Sequence, residues 1–458
     1  MLPFSRAGTH EEEEGLMGDF LWRKLILPVG DLAAHQTVSR HLDFYDRSRF
    51  WPRERILLER DKLVRQVVCE AYHGSAFYRD LYDTHGVRPA DIRGYGDLAR
   101  LPLVDKEMLR SGYPEKIVMP TRYRTKEYST SGSTGVPFRL LLDDDTMSRA
   151  RALMILRTLM SGWRLGEPVF QTGMALQRGA MKSLKDRVLG VHYFSAYDLT
   201  TPALDRCLAT IDRKRLRYLT GYAQSLYLLA ERAKQVGFNH RCRAAVTWGS
   251  NLHRHFREGI REAFGCPTFD SYGVGEGMQI AAQSVDSGDL YHQFCLHAAL
   301  EIVDEGVPVP AGERGEIVLT RLNSGAMPLI RYRIGDVGRL HDKDEKTGTT
   351  NLPLLAGVDG RISDIVTTPG GNQLIVEFFF GIFQDAPNIR LFQVTQPGRG
   401  KIHVQIVPGP EFRMDDWHKV ESEILTKGDP DLAISMEQVK DIPLEKSGKR
   451  RFVISQVP

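Results

Sequence analysis

Three stretches of the chain repeat apolar residues at helical spacing. Arg53 to His73, residues 146 to 160 and residues 222 to 236 each predict a helix. The apolar face of the first comprises Leu57, Val64, Val67, Val68 and Ala71. Residues 1–50 mix apolar and polar positions without a clear period, and we treat them as an N-terminal extension of uncertain role.

Short β-rich runs alternate with the predicted helices. These runs are Ala244–Trp248, Leu300–Val303 and Glu316–Leu319, and a Pro-Ala-Gly turn sequence separates the last two. Alternation of strand and helix over about 300 residues predicts an α/β fold in which helices are layered on sheets.

The end of the chain has a different pattern. Residues 401–406 alternate apolar and polar side chains as a half-buried strand does, and apolar residues repeat at helical spacing over 417–424. Residues 434–436 indicate one more strand. We therefore predict a large layered α/β domain over 51–361 and a small mobile α+β domain over 362–458.

Composition narrows the class of protein. Of 458 residues, 42% are hydrophobic and 26% charged, which is typical of a globular chain. Lys and Arg total 61 against 58 Asp and Glu, so the charge balance does not call for a nucleic-acid partner. Five scattered cysteines indicate a reducing compartment. The sequence shows neither an apolar run near the ~20 residues of a membrane span nor a signal-peptide pattern. We expect no membrane partner and a cytoplasmic location.

A Ser/Thr/Gly-rich segment, Tyr128–Pro137, carries the strongest chemical signal. Its glycines let the backbone approach a ligand, and its hydroxyls and N–H groups suit a polyphosphate. It is not a Walker loop, because no Gly-Lys-Ser/Thr follows at the required spacing. A flexible surface loop is the alternative interpretation.

Three further motifs are weak when taken singly. Ser271–Gly277 places glycines around an aromatic residue and a carboxylate, which suits a purine and Mg²⁺, or is a turn after a strand. Arg331–Asp336 ends in a carboxylate that could accept ribose hydroxyls, or is a salt-bridged surface strand. Pro443–Arg451 carries a Gly-flanked lysine that could neutralise transition-state charge, or is a basic tail.

Together, in this order, the motifs resemble those of the adenylate-forming superfamily of acyl-CoA synthetases, peptide-synthetase adenylation domains and luciferases. The chain is most similar to the phenylacetate-CoA ligase branch and its CapK-like members. Ala326–Arg333 and Ser447–Lys449 are similar to the sequence motifs of that branch. The similarity begins near Ser75 and reaches the C-terminus, so residues 1–50 lie outside it.

The resemblance implies roles for individual residues. Ser131 to Gly135 would form the phosphate loop, Tyr272 would stack on adenine, and Asp336 would accept the ribose hydroxyls. Glu276 would hold Mg²⁺, and Lys449 would be the catalytic lysine of the mobile domain. The nucleotide-binding residues that it implies are Ser131, Gly132, Ser133, Thr134, Gly135, Gly249, Ser250, Tyr272, Gly273, Asp336 and Arg361.

The implied reaction is attack of a carboxylic acid on ATP, which gives an acyl-AMP and pyrophosphate. Coenzyme A, an amine or a carrier-protein thiol would then accept the acyl group. The cofactors would be ATP and Mg²⁺, with coenzyme A as a possible co-substrate. An aromatic or small apolar acid and a possible homodimer are expectations from the resemblance alone.

Departures from the family pattern keep a second function open. Gly275 stands where the family has Ser or Thr, Ser363 replaces the first of two acidic residues after Arg361, and no lysine flanks Pro137. The alternative is a nucleotide-binding, catalytically weakened partner subunit of a biosynthetic complex.

Two other clusters are open to ordinary structural interpretations. His292, Cys295 and His297 could hold zinc, but three donors on one short strand suit a tetrahedral site poorly, and a satisfied polar strand is favoured. Arg213–Arg215, with Arg217 and Tyr218, could contact RNA or the phosphates of coenzyme A, and a solvated basic turn is favoured there.

Overall fold

The computed structural model describes residues 18–130, 138–173, 175, 179–196, 198–249, 252, 254–342, 348–358, 365–383, 385–442 and 452–455. After a π-helical stretch at Trp22–Ile26, the α-helices are Leu27–Ala34, Val38–Ser48, Arg53–Gly74, Ala76–Thr84, Lys106–Gly112, Asp144–Leu159, Ala180–Val188, Thr201–Arg213, Ala223–Gln235, Arg254–Phe264, Val376–Phe383 and Met414–Lys427. Short 3₁₀ turns lie at Pro89–Asp91 and Tyr95–Arg100. Within the described ranges, none of these helices is long and apolar enough to span a bilayer.

The strands are β1 (Thr125–Thr130), β2 (Phe138–Asp143), β3 (Val169–Gly173), β4 (Val191–Ser195), β5 (Tyr218–Tyr222), β6 (Ala244–Trp248), β7 (Thr268–Val274), β8 (Met278–Ala282), β9 (Tyr291–Gln293), β10 (Ala298–Asp304), β11 (Val307–Pro308), β12 (Arg314–Arg321), β13 (Tyr332–Leu340), β14 (Leu354–Val358), β15 (Ile365–Thr367), β16 (Gln373–Ile375), β17 (Ile389–Gly398), β18 (Lys401–Pro408), β19 (Ala433–Gln438) and β20 (Val453–Ser455).

The predicted elements are confirmed, with small changes at their ends. The first predicted helix covers Arg53–Gly74, and Ile56 rather than Leu57 joins its buried face. The strand predicted at Ala244–Trp248 has those bounds. The extension that the sequence left unplaced contains the helix Val38–Ser48, whose Leu42 is buried in a core with Leu156 of the helix Asp144–Leu159.

The chain divides into two compact units. The first contains residues 1–128, 139–167 and 269–359. Its strands run β11-β10-β12-β13-β14-β9-β8-β7, and every neighbouring pair is antiparallel. Antiparallel neighbours need only short connections, which is why turn sequences punctuate this part of the chain. The two strands predicted on either side of the Pro-Ala-Gly turn pair directly, with Leu300 opposite Leu319.

The second unit contains residues 129–138, 168–268 and 360–458. Strands β6-β5-β3-β4 are parallel neighbours, and helices connect them as βαβ crossovers require. Their core is apolar and includes Phe170, Leu219, Ala245 and Phe264. Residues 168–268 have the alternating α/β pattern that the sequence predicts.

The C-terminal segment of the second unit has a hydrophobic core of its own. Strands run β19-β18-β17-β20, with the helix Met414–Lys427 between β18 and β19 in the chain. The buried core residues all lie between Val366 and Val453 and include Phe378, Trp417 and Ile424. The predicted strand–helix–strand order is therefore confirmed, and the predicted domain boundary at 361/362 lies outside the described residues.

Candidate nucleotide site

A tight turn after β7 sets the direction of the Glu276 side chain. The register of β7 against β8 is irregular between Tyr272 and Gly273. Gly277 has φ +78°, and a Cβ on it would lie 3.0 Å from Cδ1 of Leu142. Only glycine adopts this backbone without strain and fits the space. The turn leaves Glu276 only 4% exposed.

The buried Glu276 carboxylate is held by two side chains. The Tyr332 hydroxyl donates to Oε1 at 3.0 Å, and Nζ of Lys106 lies 3.5 Å from the same oxygen. A carboxylate removed from water is costly unless it is paired and hydrogen-bonded. The lysine and the phenol provide this pairing and this hydrogen bond.

Backbone pairing brings Lys106 to the glutamate. Val104 forms an isolated parallel bridge with Tyr332, in which its N–H donates to the Arg331 carbonyl at 3.0 Å and its carbonyl accepts from the Arg333 N–H at 2.8 Å. Asp105 then caps the helix Lys106–Gly112 by accepting from the Met108 N–H. The lysine is thus fixed at the first turn of a capped helix.

Arg331 anchors the segment that precedes Lys106. Its buried guanidinium pairs with Glu301 at 3.1 Å and donates to the carbonyls of Leu101 at 2.6 Å and Gly306 at 2.8 Å. Burial raises the pKa of the Glu301 carboxyl, and the guanidinium opposes that shift. Arg331 is therefore structural and buried, whereas Arg333 is exposed and pairs with Glu316 at 2.7 Å, as the surface-strand alternative expects.

A second buried arginine lies beside the turn that carries Glu276. Arg321 is fully buried and donates to the Glu276 carbonyl at 3.3 Å and to the Met327 carbonyl. Burial lowers the pKa of Arg321 to about 10, and the nearby carboxylates of Asp143 and Glu276 oppose this shift. The guanidinium remains a cation at neutral pH and fixes the backbone that carries the glutamate.

The structure joins two predicted nucleotide residues directly. The Tyr272 hydroxyl donates to Oδ2 of Asp336 at 2.9 Å, across 64 positions of sequence. Both side chains are half-buried. The bond from the tyrosine hydroxyl orients the Asp336 carboxylate, a group with about four acceptor positions in all.

Gly249 ends β6 in the second unit. It has φ +82°, and a Cβ on it would lie 2.4 Å from Cε1 of Tyr222. The Tyr222 ring also packs on Trp248, with ring centroids 4.4 Å apart. A glycine is required here because any side chain would strike the tyrosine.

The remaining predicted residues lie outside the described part of the chain. They are Ser131, Gly132, Ser133, Thr134, Gly135, Ser250, Arg361 and Lys449. Of the described ones, Tyr272 and Asp336 meet, and Gly273 adjoins Tyr272 in β7.

Sequence reasoning missed three residues of the site. Tyr332 lies inside the Arg331–Asp336 motif, in which only the aspartate was predicted to bind the nucleotide. The motif therefore indicated the neighbourhood of Tyr332 but not its contact with Glu276. Arg321 and Lys106 belong to no motif. No local pattern could show that Lys106 would meet a glutamate so far along the chain, because a single bridge to β13 creates that contact.

The two histidines of the suggested zinc site make hydrogen bonds in the structure. His292 contacts Ser284 Oγ at 3.0 Å through Nε2 and Thr350 Oγ1 at 2.9 Å through Nδ1, and His297 contacts the Tyr45 hydroxyl at 3.4 Å. Burial lowers the pKa of His292 to about 4 and that of His297 to about 3. Over the ranges that the structure covers, no three His, Cys, Asp or Glu side chains cluster as a metal site.

Comparison with known proteins shows which protein families this chain is similar to. Residues 366–456 match the CapK C-terminal domain family. A phenylacetate-coenzyme A ligase of Thermus thermophilus is 27% identical over 337 residues, which is 70% of this chain and 74% of the relative. One from Escherichia coli is 25% identical and covers 68% of this chain and 72% of the relative.

The solved structures agree on the fold. A 2-hydroxyisobutyryl-CoA ligase in complex with 2-HIB-AMP and CoA superimposes with a TM-score of 0.61 at 20% identity, over 90% of this chain and 92% of that one. In a postadenylation state with R3-HIB-AMP the TM-score is 0.57. The chain therefore has the fold of these CoA ligases, and the predicted resemblance to the adenylate-forming superfamily is confirmed. Within that superfamily, the resemblance to the phenylacetate-CoA ligase and CapK-like branch is confirmed.

Proposed function

We propose that the protein uses ATP to convert a carboxylic acid into an acyl-AMP, releases pyrophosphate, and transfers the acyl group to coenzyme A. The observation that carries this proposal is the hydrogen bond between Tyr272 and Asp336. Two separate motifs, each weak alone, meet at one place as a shared nucleotide site requires. The relatives named as phenylacetate-coenzyme A ligases support the choice of acceptor.

Asp336 binds the ribose in this account. Its carboxylate accepts both hydroxyls, while the Tyr272 hydroxyl keeps it turned toward them. The face of the same Tyr272 ring packs on the adenine. This pair therefore contributes mainly to ground-state binding of ATP.

Glu276 holds Mg²⁺ in this account. Magnesium commonly binds one or two protein carboxylates and takes its other ligands from phosphate and water, so one buried carboxylate suits it. The ion, when bound, offsets negative charge on the phosphates. Lys106 and Tyr332 contact the carboxylate and fix its direction.

Two lysines have separate tasks. Lys106 stays beside Glu276 and makes the local charge near neutral before substrate arrives. Lys449, on the segment 362–458 that we propose as a mobile domain, stabilises the charge that develops as the acid attacks the α-phosphate. The Ser131–Gly135 loop cradles the departing pyrophosphate, with Gly249, Ser250, Gly273 and Arg361 completing the nucleotide site.

The chemistry balances in two steps. A carboxylate oxygen bonds to the α-phosphorus, and the bond to the β-phosphate bridge breaks with loss of pyrophosphate. The thiol of coenzyme A then attacks the acyl carbon, loses its proton, and releases AMP. An amine or a carrier thiol would follow the same path, so the acceptor is a matter for experiment.

The alternative of a catalytically weakened partner subunit gains no support from these relatives, which are named as ligases. Phenylacetate is the first acid to test, followed by other aromatic and small apolar acids. The proposal predicts acid-dependent exchange of labelled pyrophosphate into ATP, and acyl-CoA formation when coenzyme A is added. ATP binding without exchange for any acid would refute it.

A further inference from the structure

The side-chain amide of Gln279 covers the backbone of Gly273. Gly273 of β7 and Gln279 of β8 are directly opposed partners of an antiparallel pair, so their side-chain positions lie on the same face of the sheet. A Cβ on Gly273 would lie 3.0 Å from Nε2 and 3.1 Å from Oε1 of Gln279. The amide therefore occupies the space that a side chain at position 273 would fill.

A buried arginine fixes which end of the amide faces the protein. Arg157, on the helix Asp144–Leu159, is only 7% exposed. Its Nη1 donates to Oε1 of Gln279 at 3.3 Å and to Oγ of Ser271 at 3.3 Å. A guanidinium only donates hydrogen bonds, so it selects the oxygen of the amide and not the nitrogen. The Nε2 group of Gln279 is therefore turned away from the arginine.

The Nε2 group is a hydrogen-bond donor that the fold leaves available. Among the residues that the structure describes, the side chain of Gln279 makes one hydrogen bond, which its oxygen accepts from Arg157. Met278 and Ile280, its neighbours in β8, are almost fully buried and apolar. Gln279 is instead half-buried, and Gly273 beneath its amide is exposed. A ligand can therefore approach this donor.

Gly273 lies between the residues that bind adenine and Mg²⁺ in the account above. Tyr272 precedes it in β7 and pairs with Ala281, so the tyrosine ring and the Gln279 amide lie on opposite faces of the sheet. Glu276 follows three residues after Gly273. Because the α-phosphate connects the ribose to the metal-bound phosphates, we place it beside this part of the chain. The adenine uses the Tyr272 face, and the Gln279 face is left to the acid.

We propose that Gln279 determines which acid is activated, by donating a hydrogen bond from Nε2 to an acceptor on the body of the acid. The acid then carries a hydroxyl, carbonyl or second carboxylate oxygen in addition to the carboxylate that attacks ATP. This inference rests on the proposed function, because it assigns one substrate of that reaction. It replaces the expectation of a small apolar acid by that of an acid with a polar substituent.

The environment of Gln279 sets the size of the expected preference. An apolar acid would cover the Nε2 donor without giving it an acceptor, and a polar group left unpaired costs free energy. A site that hydrogen-bonds its substrate therefore discriminates against an analogue that lacks the bonding group. Gln279 is half-buried, so water replaces part of the lost bond. We expect a preference on the order of tenfold for the acid that carries the acceptor.

Pyrophosphate exchange with matched acids tests the proposal. Butyrate is compared with β-hydroxybutyrate and succinate, and phenylacetate with para-hydroxyphenylacetate. The wild type should show a kcat/KM about tenfold higher for an oxygen-bearing acid than for its apolar match. Gln279→Leu should erase this preference and leave the KM for ATP unchanged. Gln279→Glu keeps an oxygen toward Arg157 but replaces the donor by an acceptor, so it should favour the hydroxy acids, which can donate, over succinate. Gln405→Leu, on β18, is the matched control and should keep the wild-type preference.

A binding measurement separates this inference from the proposed function. Equilibrium dialysis of the same acids, with an ATP analogue whose α,β-bridging oxygen is a methylene group, reports acid binding without turnover. Absence of exchange with every acid would refute the proposed function, while the dialysis would still decide whether Gln279 selects the acid. Equal binding of the acids in each comparison, or a preference that survives in Gln279→Leu, would overturn the inference. A raised KM for ATP in Gln279→Leu, with the acid preference retained, would assign the amide to the nucleotide instead.

Discussion

Removing one oxygen from Tyr272 tests how the nucleotide site is built. Tyr272→Phe deletes the donor to Asp336, which lies 2.9 Å away, and keeps the aromatic ring. A hydrogen bond to a charged group contributes about 1.5–3 kcal/mol, and partial exposure of both side chains favours the lower end. A loss of about 1.4 kcal/mol is tenfold in affinity, so the KM for ATP should rise about tenfold while kcat stays nearly constant.

A double-mutant cycle separates orientation from direct contact. Asp336→Ala removes the acceptor of both ribose hydroxyls as well as the tyrosine bond, so it should weaken ATP binding by more than tenfold. In that background, Tyr272→Phe should add little, because the two residues act as one unit. Asp304→Ala, which removes a carboxylate at the end of β10, and Tyr123→Phe are matched controls that should leave the KM unchanged.

The assay is pyrophosphate exchange at varied ATP, with calorimetric ATP titration as the equilibrium check. A KM within twofold of wild type in Tyr272→Phe would refute the claim that this phenol positions the aspartate. Fully additive effects in the double variant would show that the two side chains act on different parts of the ligand. A fall in kcat with constant KM would move the pair into transition-state stabilisation.

Further predictions concern the lysines, the glutamate and the buried histidines. Lys449→Ala should lower the adenylation kcat by about 100-fold or more with little change in ATP affinity, and an unchanged exchange rate would reject its role. Glu276→Ala should act mainly on kcat and be eased by high Mg²⁺, whereas normal kcat at ordinary Mg²⁺ would place the ion elsewhere. Lys106→Met should lower the free energy of unfolding by about 2–4 kcal/mol in urea titrations, because it leaves a buried carboxylate unpaired; Lys62→Met, from the exposed pair with Glu59, should change it little. The folded-state pKa of about 3 for His297 lies below its unfolded value, so the unfolded chain binds the extra proton. Stability is therefore full above about pH 6.5 and falls by up to about 1.4 kcal/mol per pH unit below it, and His297→Gln should flatten that slope.

The sequence predicted those helices and strands in which the buried apolar residues repeat at a short, regular spacing along the chain. The helix Arg53–Gly74 and the strand β6 follow directly from apolar spacing, because each buries one face or one run against a core. The helical segment before Ala34 was not predictable in this way. Its Arg23–Asp46 ion pair and its Asp19–Leu165 hydrogen bond join it to residues that are distant in the sequence.

The candidate site likewise contains residues that a local sequence motif indicates and residues that only long-range contacts bring there. Tyr272 and Asp336 each lie in a motif with its own chemistry, and the structure joins them by a hydrogen bond, while their roles toward a nucleotide stay predictions. Lys106 was not predicted, since its position depends on a backbone bridge between Val104 and Tyr332. The surface-strand alternative for the Arg331–Asp336 motif does not hold at Arg331, because a strand full of charges gives no sign that one arginine turns inward to Glu301.

Isotope transfer from the acid to AMP is the measurement that tests the central claim most directly. The protein is incubated with ATP, Mg²⁺, coenzyme A and an acid whose carboxylate carries ¹⁸O, and the products are weighed by mass spectrometry. If the carboxylate attacks the α-phosphorus, the released AMP must keep one labelled oxygen, and the acyl-CoA must keep the other. Label that appears in inorganic phosphate with ADP, or AMP that forms without label, would contradict an acyl-AMP intermediate.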